Sequence, residues 1–136
     1  MLKVTHKDLI ANALNEIETL DFEAAELLLT DDGVVFVDLR DPRELEREGK
    51  VPGAFHAPRG MLEFWVDPTS PYFKDVFGED KKFVFYCQSG WRSALATKAV
   101  QDMGMSNVAH IGEGFRGWKD AGGATEAVEP RRPKNG

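Results

Sequence analysis

The sequence predicts an α/β domain built on a parallel sheet, and three observations carry that expectation. Val34, Val35, Phe36 and Val37 are consecutive apolar residues between turn signals, the pattern of a strand buried on both faces. Phe83, Val84, Phe85 and Tyr86 repeat it. Between and after these runs lie segments with apolar residues at helical spacing, so strands and helices alternate along the chain.

The first helix is expected near residue 5, where Thr5 can cap and Asp8 stands three residues on. Leu9, Ile10, Ala13, Leu14 and Ile17 then form an apolar face, expected to pack on the rest of the domain. Residues 18–20 read as a short extended piece. Asp21 is a good N-cap for the helix formers from Phe22 to Leu29, and Asp31, Asp32 and Gly33 close that segment before the strand at 34–37. Pro42 suits the first turn of a short helix. Residues 49–58, with Pro52, Pro58, Gly49 and Gly53, read as turn, short strand and turn.

Residues 61–77 carry five aromatics, Phe64, Trp65, Tyr72, Phe73 and Phe77, expected to bury a long connection onto the sheet. Long ordered loops also carry substrate choice, which makes Arg59, Glu63 and Trp65 weak candidates for a site rim. After the strand at 83–86, Ala94, Leu95, Ala96, Ala99, Val100 and Met103 mark a helix that stops at Gly104. Residues 107–111 give the next strand, and Gly112 to Gly122 a glycine turn into a short helix. Trp118 is expected in the core, His110 as a strand-end residue and His56 as a packed or edge residue. The boundaries expected are an added helix over 1–17, one domain over 18–129 and a disordered tail over 130–136.

At 136 residues with 42% hydrophobic residues, the chain is the size of a single domain with a real core. A net charge of -6 argues against nucleic acid or an anionic membrane as partner. One cysteine precludes an internal disulfide and dithiol redox chemistry. No apolar run approaches a membrane span, and the N-terminus lacks the core of a signal peptide, so a soluble, cytoplasmic protein of a reducing compartment is expected. His6, His56 and His110 are scattered singly, which implies no metal, and no cofactor is implied.

Chemistry is concentrated at Cys87, Gln88, Ser89, Gly90, Trp91, Arg92 and Ser93, where an apolar strand breaks at a cysteine and a helix follows. A lone cysteine ending a buried strand is most often a small hydrophobe. Here Gly90 lets the loop curl so that successive N–H groups point inward, and the helix start adds unpaired N–H groups and partial positive charge. The result is an anion cradle with a reachable sulfur at its floor, and a helix start beside a guanidinium favours the reactive thiolate.

The pattern Cys87-x-x-Gly90-x-Arg92-Ser93 resembles the active-site loop of the rhodanese family of sulfurtransferases. Asp38, Arg40 and Glu44 match that family's second-strand motif, Val51 to Ala54 its Pro-Gly-Ala signature, and Gly112 to Gly122 its C-terminal signature. Lys50 stands where the family has histidine. The resemblance implies a central, mostly parallel five-stranded sheet flanked by helices on both faces, with the first helix as an addition. It also implies a structural ion-pair network of Asp38, Arg40 and Glu44 beside the pocket.

By the same resemblance, Cys87 would take sulfane sulfur from a donor such as thiosulfate as a persulfide. A small thiol, cyanide or an acceptor protein would then remove it. The loop residues would bind the donor, Arg92 orienting it, Ser93 adding a hydroxyl and Trp91 shielding the persulfide. The six residues from Cys87 through Arg92 are one fewer than in the phosphatases and arsenate reductases of the fold, which places those activities second. A non-catalytic persulfide carrier or protein-binding module is the alternative of a different class.

Overall fold

A computed structural model describes residues 1–130. Five strands form one parallel sheet: β1 (Glu18–Leu20), β2 (Val34–Asp38), β3 (Phe55–His56), β4 (Lys82–Tyr86) and β5 (Val108–Ile111), in the order β1-β5-β4-β2-β3. Among the described residues, six α-helices accompany them: α1 (His6–Glu16), α2 (Phe22–Leu27), α3 (Pro42–Glu48), α4 (Leu62–Val66), α5 (Trp91–Asp102) and α6 (Gly114–Asp120). The tail expected over 130–136 lies outside the described residues, Pro130 excepted.

Side-chain alternation along β4 builds two cores at once. Val84 and Tyr86 pack with Phe36, Ile111, Phe115 and Trp118 on one face, where α2 and α6 contribute Ala25, Phe115 and Trp118. Phe83 and Phe85 pack with Val37, Leu62, Val66, Phe77, Ala96 and Val100 on the other, beneath α4 and α5. Both faces of a parallel strand are thereby removed from water, which is why these runs are continuously apolar. Trp118 is fully buried.

The helix starts follow the capping residues. Thr5 and Asp8 form a reciprocal capping box on α1, Asp21 Oδ1 accepts the Ala24 N–H at 2.8 Å, and Asp41 and Glu44 form a second capping box on α3. α1 packs along α5, tied by Gln101 Nε2 donating to the Glu16 carbonyl at 2.7 Å and by the Lys98–Glu16 ion pair at 2.6 Å. Its apolar face is only partly covered. Ile10, Ala13 and Ile17 lie along one stripe and turn inward, whereas Leu9 and Leu14, on the flanks, stay exposed.

The long connection divides in the same manner. Phe77 is buried and Trp65 and Phe73 pack against the core, while Phe64 and Tyr72 face outward. Arg59 and Glu63 pair with each other at 2.8 Å, and Lys74 sits over the Trp65 ring.

Where the family pattern has histidine, Lys50 forms a strap for the chain's end. Its Nζ donates to the Ala54 carbonyl at 2.9 Å and pairs with Glu126 at 3.4 Å. The backbones of Lys50 and Glu126 exchange two hydrogen bonds, and Glu126 also accepts the Gly53 N–H.

Candidate active site

The carboxyl ends of parallel strands are where open α/β sheets bind ligands, and the loop after β4 lies there. Leu39, just past β2, donates its N–H to the Tyr86 carbonyl, so the exits of β2 and β4 stay together. From the other side, Phe115 and Arg116 at the start of α6 donate their N–H groups to the carbonyls of Cys87 and Gln88 at 2.8 and 3.1 Å. The loop is clamped at its root.

Two backbone donors converge on the sulfur. Gly90 N–H lies 3.2 Å and Ser93 N–H 3.4 Å from Cys87 Sγ, and the Ser93 hydroxyl is 3.6 Å away. Gly90 makes this curl possible. Its φ of +98° lies in the left-handed region, and a Cβ there would collide with the Gly112 carbonyl. The same close approach keeps β5's exit against the loop.

The sulfur is not at the floor of an open bowl. Cys87 is 1% exposed, because it directly follows the buried strand β4 and the loop folds down onto it. Beside the loop runs a groove of about 470 Å³ lined by Glu48, Gln88, Ser89, Arg116, Lys119 and Asp120.

The other loop side chains diverge from the sulfur. Ser89 is exposed, and Trp91 is 57% exposed with its ring 5.1 Å from that of His6. Gln88 turns toward α3, accepting from Arg40 Nη1 at 3.2 Å and donating to Glu48 at 3.4 Å. Arg92 reaches Glu44 with two bonds, of 2.9 and 3.1 Å. These bonds raise the Arg92 guanidinium's pKa and hold the Glu44 carboxyl below the usual carboxylate range, against the opposing effect of partial burial.

Glu44 therefore pairs with Arg92, and no hydrogen bond joins it to the Asp38–Arg40 pair. Asp38 and Arg40 are both fully buried and share two oxygens with two guanidinium nitrogens, the closest contact at 2.8 Å. Burial works against the Arg40 charge, but the bonds and charge of Asp38 outweigh it and raise the Arg40 pKa. Arg40 also donates to the Gly49 carbonyl and lies 4.1 Å over the Phe115 ring. Tyr86 is held protonated by burial and by the neighbouring Asp38 charge, its hydroxyl accepting the Val51 N–H. Through Gln88, this sealed pair props the loop from below.

A family model described as Rhodanese-like domain matches residues 21–121. The chain belongs to the rhodanese-like domain family. α1 precedes the matched region. A solved Rhodopseudomonas palustris structure, described as a protein of unknown function and possible tyrosine phosphatase, is 55% identical, with a TM-score of 0.90 over 93% of this chain and 97% of that one. The homodimeric polysulfide-sulfur transferase of Wolinella succinogenes is 26% identical, with a TM-score of 0.71 over 94% and 91% of the two chains. A Schizosaccharomyces pombe protein, named provisionally as a mitochondrial thiosulfate sulfurtransferase, is 24% identical over 128 residues, 88% of this chain and 89% of that one.

Against the rhodanese-like motif positions, one neighbour of the sulfur stands out as unforeseen. His110, expected as a strand-end residue without partners, is 1% exposed and has both ring nitrogens engaged. Nδ1 lies 2.9 Å from Ser93 Oγ and Nε2 3.1 Å from Thr19 Oγ1. Burial lowers its pKa to about 4, so the ring is neutral at pH 7. Its partners are 17 and 91 residues away, and only the β1–β5 register, which sets Thr19 opposite His110, makes the cluster. Among the described residues, no group of three or more His, Cys, Asp or Glu side chains could hold a metal ion, and no helix is long and apolar enough to cross a membrane.

Proposed function

We propose that this rhodanese-like chain is a sulfurtransferase that carries sulfane sulfur on Cys87. The Cys87 thiolate attacks the outer sulfur of a donor such as thiosulfate. One S–S bond forms, the donor's S–S bond breaks, and sulfite leaves with the bonding pair. A persulfide remains on the protein. A small thiol, cyanide or an acceptor protein attacks the terminal sulfur and restores Cys87.

The observation that supports this reading best is the convergence of the Gly90 and Ser93 N–H groups on Sγ. Donors already aimed at an anionic sulfur need no reorganisation during transfer, which is the basis of oxyanion-hole stabilisation. The groove beside the loop carries Arg116 and Lys119 balanced by Glu48 and Asp120, so on a chain of net charge -6 the loop N–H groups and Arg92 supply the local attraction for an anionic donor. Arg92 reorients from Glu44 toward the donor when the loop opens over the buried sulfur.

Incubation with thiosulfate followed by intact and peptide mass spectrometry tests the proposal. One added sulfur atom on Cys87, absent in Cys87→Ser, is the expected result; unmodified wild-type protein overturns it. The description of the Rhodopseudomonas palustris relative gives phosphatase activity a claim as a second reading. The short loop from Cys87 through Arg92 favours a single sulfur over a tetrahedral phosphate. Hydrolysis of p-nitrophenyl phosphate exceeding thiosulfate-dependent cyanolysis would reverse that preference. A carrier role without turnover would show as a persulfide that forms but is not released to small thiophiles.

A further inference from the structure

We infer that His110 is a positioning residue for Cys87, setting the direction of the Ser93 hydroxyl and linking the buried sulfur to the surface at Thr19. This rests on Cys87 acting as the nucleophile of the preceding section. The physical problem it addresses is that Cys87 is 1% exposed, yet its sulfhydryl must lose a proton before it can attack.

The atoms form an unbroken line. Cys87 Sγ lies 3.6 Å from Ser93 Oγ, Ser93 Oγ 2.9 Å from His110 Nδ1, and His110 Nε2 3.1 Å from Thr19 Oγ1. Ser93 and His110 are buried, and Thr19 is exposed. Thr19 lines a groove of about 640 Å³ that also carries Asp21, Glu23 and Glu113, carboxylates suited to receive a proton from water there. Among the described residues, both ring nitrogens bond neutral hydroxyls, and burial alone, with no neighbouring charge, lowers the ring's pKa, although β1, β4, α5 and α6 all pack on β5. Thr19 comes from β1 and Ser93 from α5, while Phe85 is His110's register partner on β4.

Two arrangements of hydrogens satisfy this line. With a thiol, S–H donates to Ser93 Oγ, Ser93 O–H to Nδ1, and Nε2–H to Thr19 Oγ1. With a thiolate, Thr19 O–H donates to Nε2, Nδ1–H to Ser93 Oγ, and Ser93 O–H to the sulfur. Conversion moves each proton one step outward: the thiol proton to Ser93, the Ser93 proton to Nδ1, the Nε2 proton to Thr19, and the original Thr19 proton to water. One proton leaves, and the imidazole changes tautomer without ever carrying charge. A ring kept neutral by burial is suited to this exchange, and a charged one is not.

Without His110, the Ser93 hydroxyl has an alternative acceptor in the Gly90 carbonyl, 3.3 Å away. It then no longer favours the sulfur. The thiolate loses a charge-assisted donor, which corresponds to about one pH unit in its formation.

The test is the rate of Cys87 alkylation by iodoacetamide across pH, in the full chain, for wild type, Ser93→Ala, His110→Phe, Thr19→Val and the Ser93→Ala/His110→Phe pair. In His110→Phe the curve moves to higher pH by about one unit, roughly tenfold less thiolate at a given pH, with its high-pH plateau retained. Thr19→Val moves it the same way by less. The pair moves it no further than Ser93→Ala alone, because His110 acts only through that hydroxyl. A His110→Phe curve superimposed on wild type, or shifts that sum in the pair, overturns the inference. Thr19 is exposed at the edge strand, so Thr19→Val remains informative if His110→Phe does not fold, and an unmoved curve there is equally fatal. Alkylation needs no sulfur donor, so a failure to form persulfide would refute the proposed function while leaving this result standing.

Discussion

Arg92 and Glu44 form a two-pronged ion pair, Nη1 to Oε1 at 2.9 Å and Nη2 to Oε2 at 3.1 Å, that ties the loop's guanidinium to α3. The pair spans α5 and α3, and Arg92 is 41% exposed, so solvent limits its contribution to stability to about 0–1 kcal/mol. Its importance is electrostatic.

Glu44→Gln separates the two roles of that carboxylate. Glutamine can still accept the Asp41 N–H that Glu44 accepts at 3.0 Å, so the α3 capping box survives. The negative charge facing an incoming dianion is removed, and Arg92 is released toward the loop. Steady-state cyanolysis should show KM for thiosulfate lowered several-fold with kcat little changed. A raised KM would mean that Glu44 orients Arg92 productively instead of competing for it.

His110 gives a stability prediction that is independent of catalysis. Its folded pKa, lowered by burial to about 4, lies below the value of about 6.5 expected in the unfolded chain. The unfolded state therefore binds the proton first as pH falls. The stabilisation is fully present above about pH 6.5 and is lost progressively as pH falls toward 4, on the order of 3 kcal/mol in all. The lowered carboxyls of Glu44 and Glu126 begin to lose their contributions only as pH falls into the ordinary carboxylate range, and go on losing them below it. Urea unfolding midpoints between pH 7 and 5 should fall in wild type and stay level in His110→Asn. Equal slopes would show that the ring is not buried neutral.

The residues that made this fold readable act locally. Residues 34–37 and 83–86 form strands because every one of their side chains finds a core on one face or the other, Thr5 and Asp21 cap helices within three residues of themselves, and Pro42 opens the first turn of α3. What stayed hidden depends on register and on distant segments. The family's second-strand motif groups Glu44 with Asp38 and Arg40, and its charge does act on Arg40, but its side-chain hydrogen bonds go to Arg92, 48 residues on. The Lys50–Glu126 strap needs a tail with no pattern of its own. Likewise, nothing in the sequence around Cys87 says how far the loop closes over it, since that distance is set by Gly90 meeting Gly112 from another strand's exit.

That contact supplies the sharpest structural test. In Gly90→Ala, an L-residue must hold φ near +98°, and its Cβ must push the Gly112 carbonyl away. Yielding moves the β5 exit outward and carries the Gly90 N–H off the sulfur, so geometry and chemistry fail together. The expected loss is about 1–3 kcal/mol of stability, with persulfide formation slowed by more than the fraction unfolded can explain. Gly60→Ala is the matched control. A Cβ at Gly60 meets nothing within 4 Å and its φ is not in the left-handed region. Its urea midpoint should stay within about 0.5 kcal/mol of wild type. If Gly90→Ala unfolds like the control and accepts sulfur at the wild-type rate, the loop is not held by this contact, and the two N–H donors cannot be what prepares Cys87.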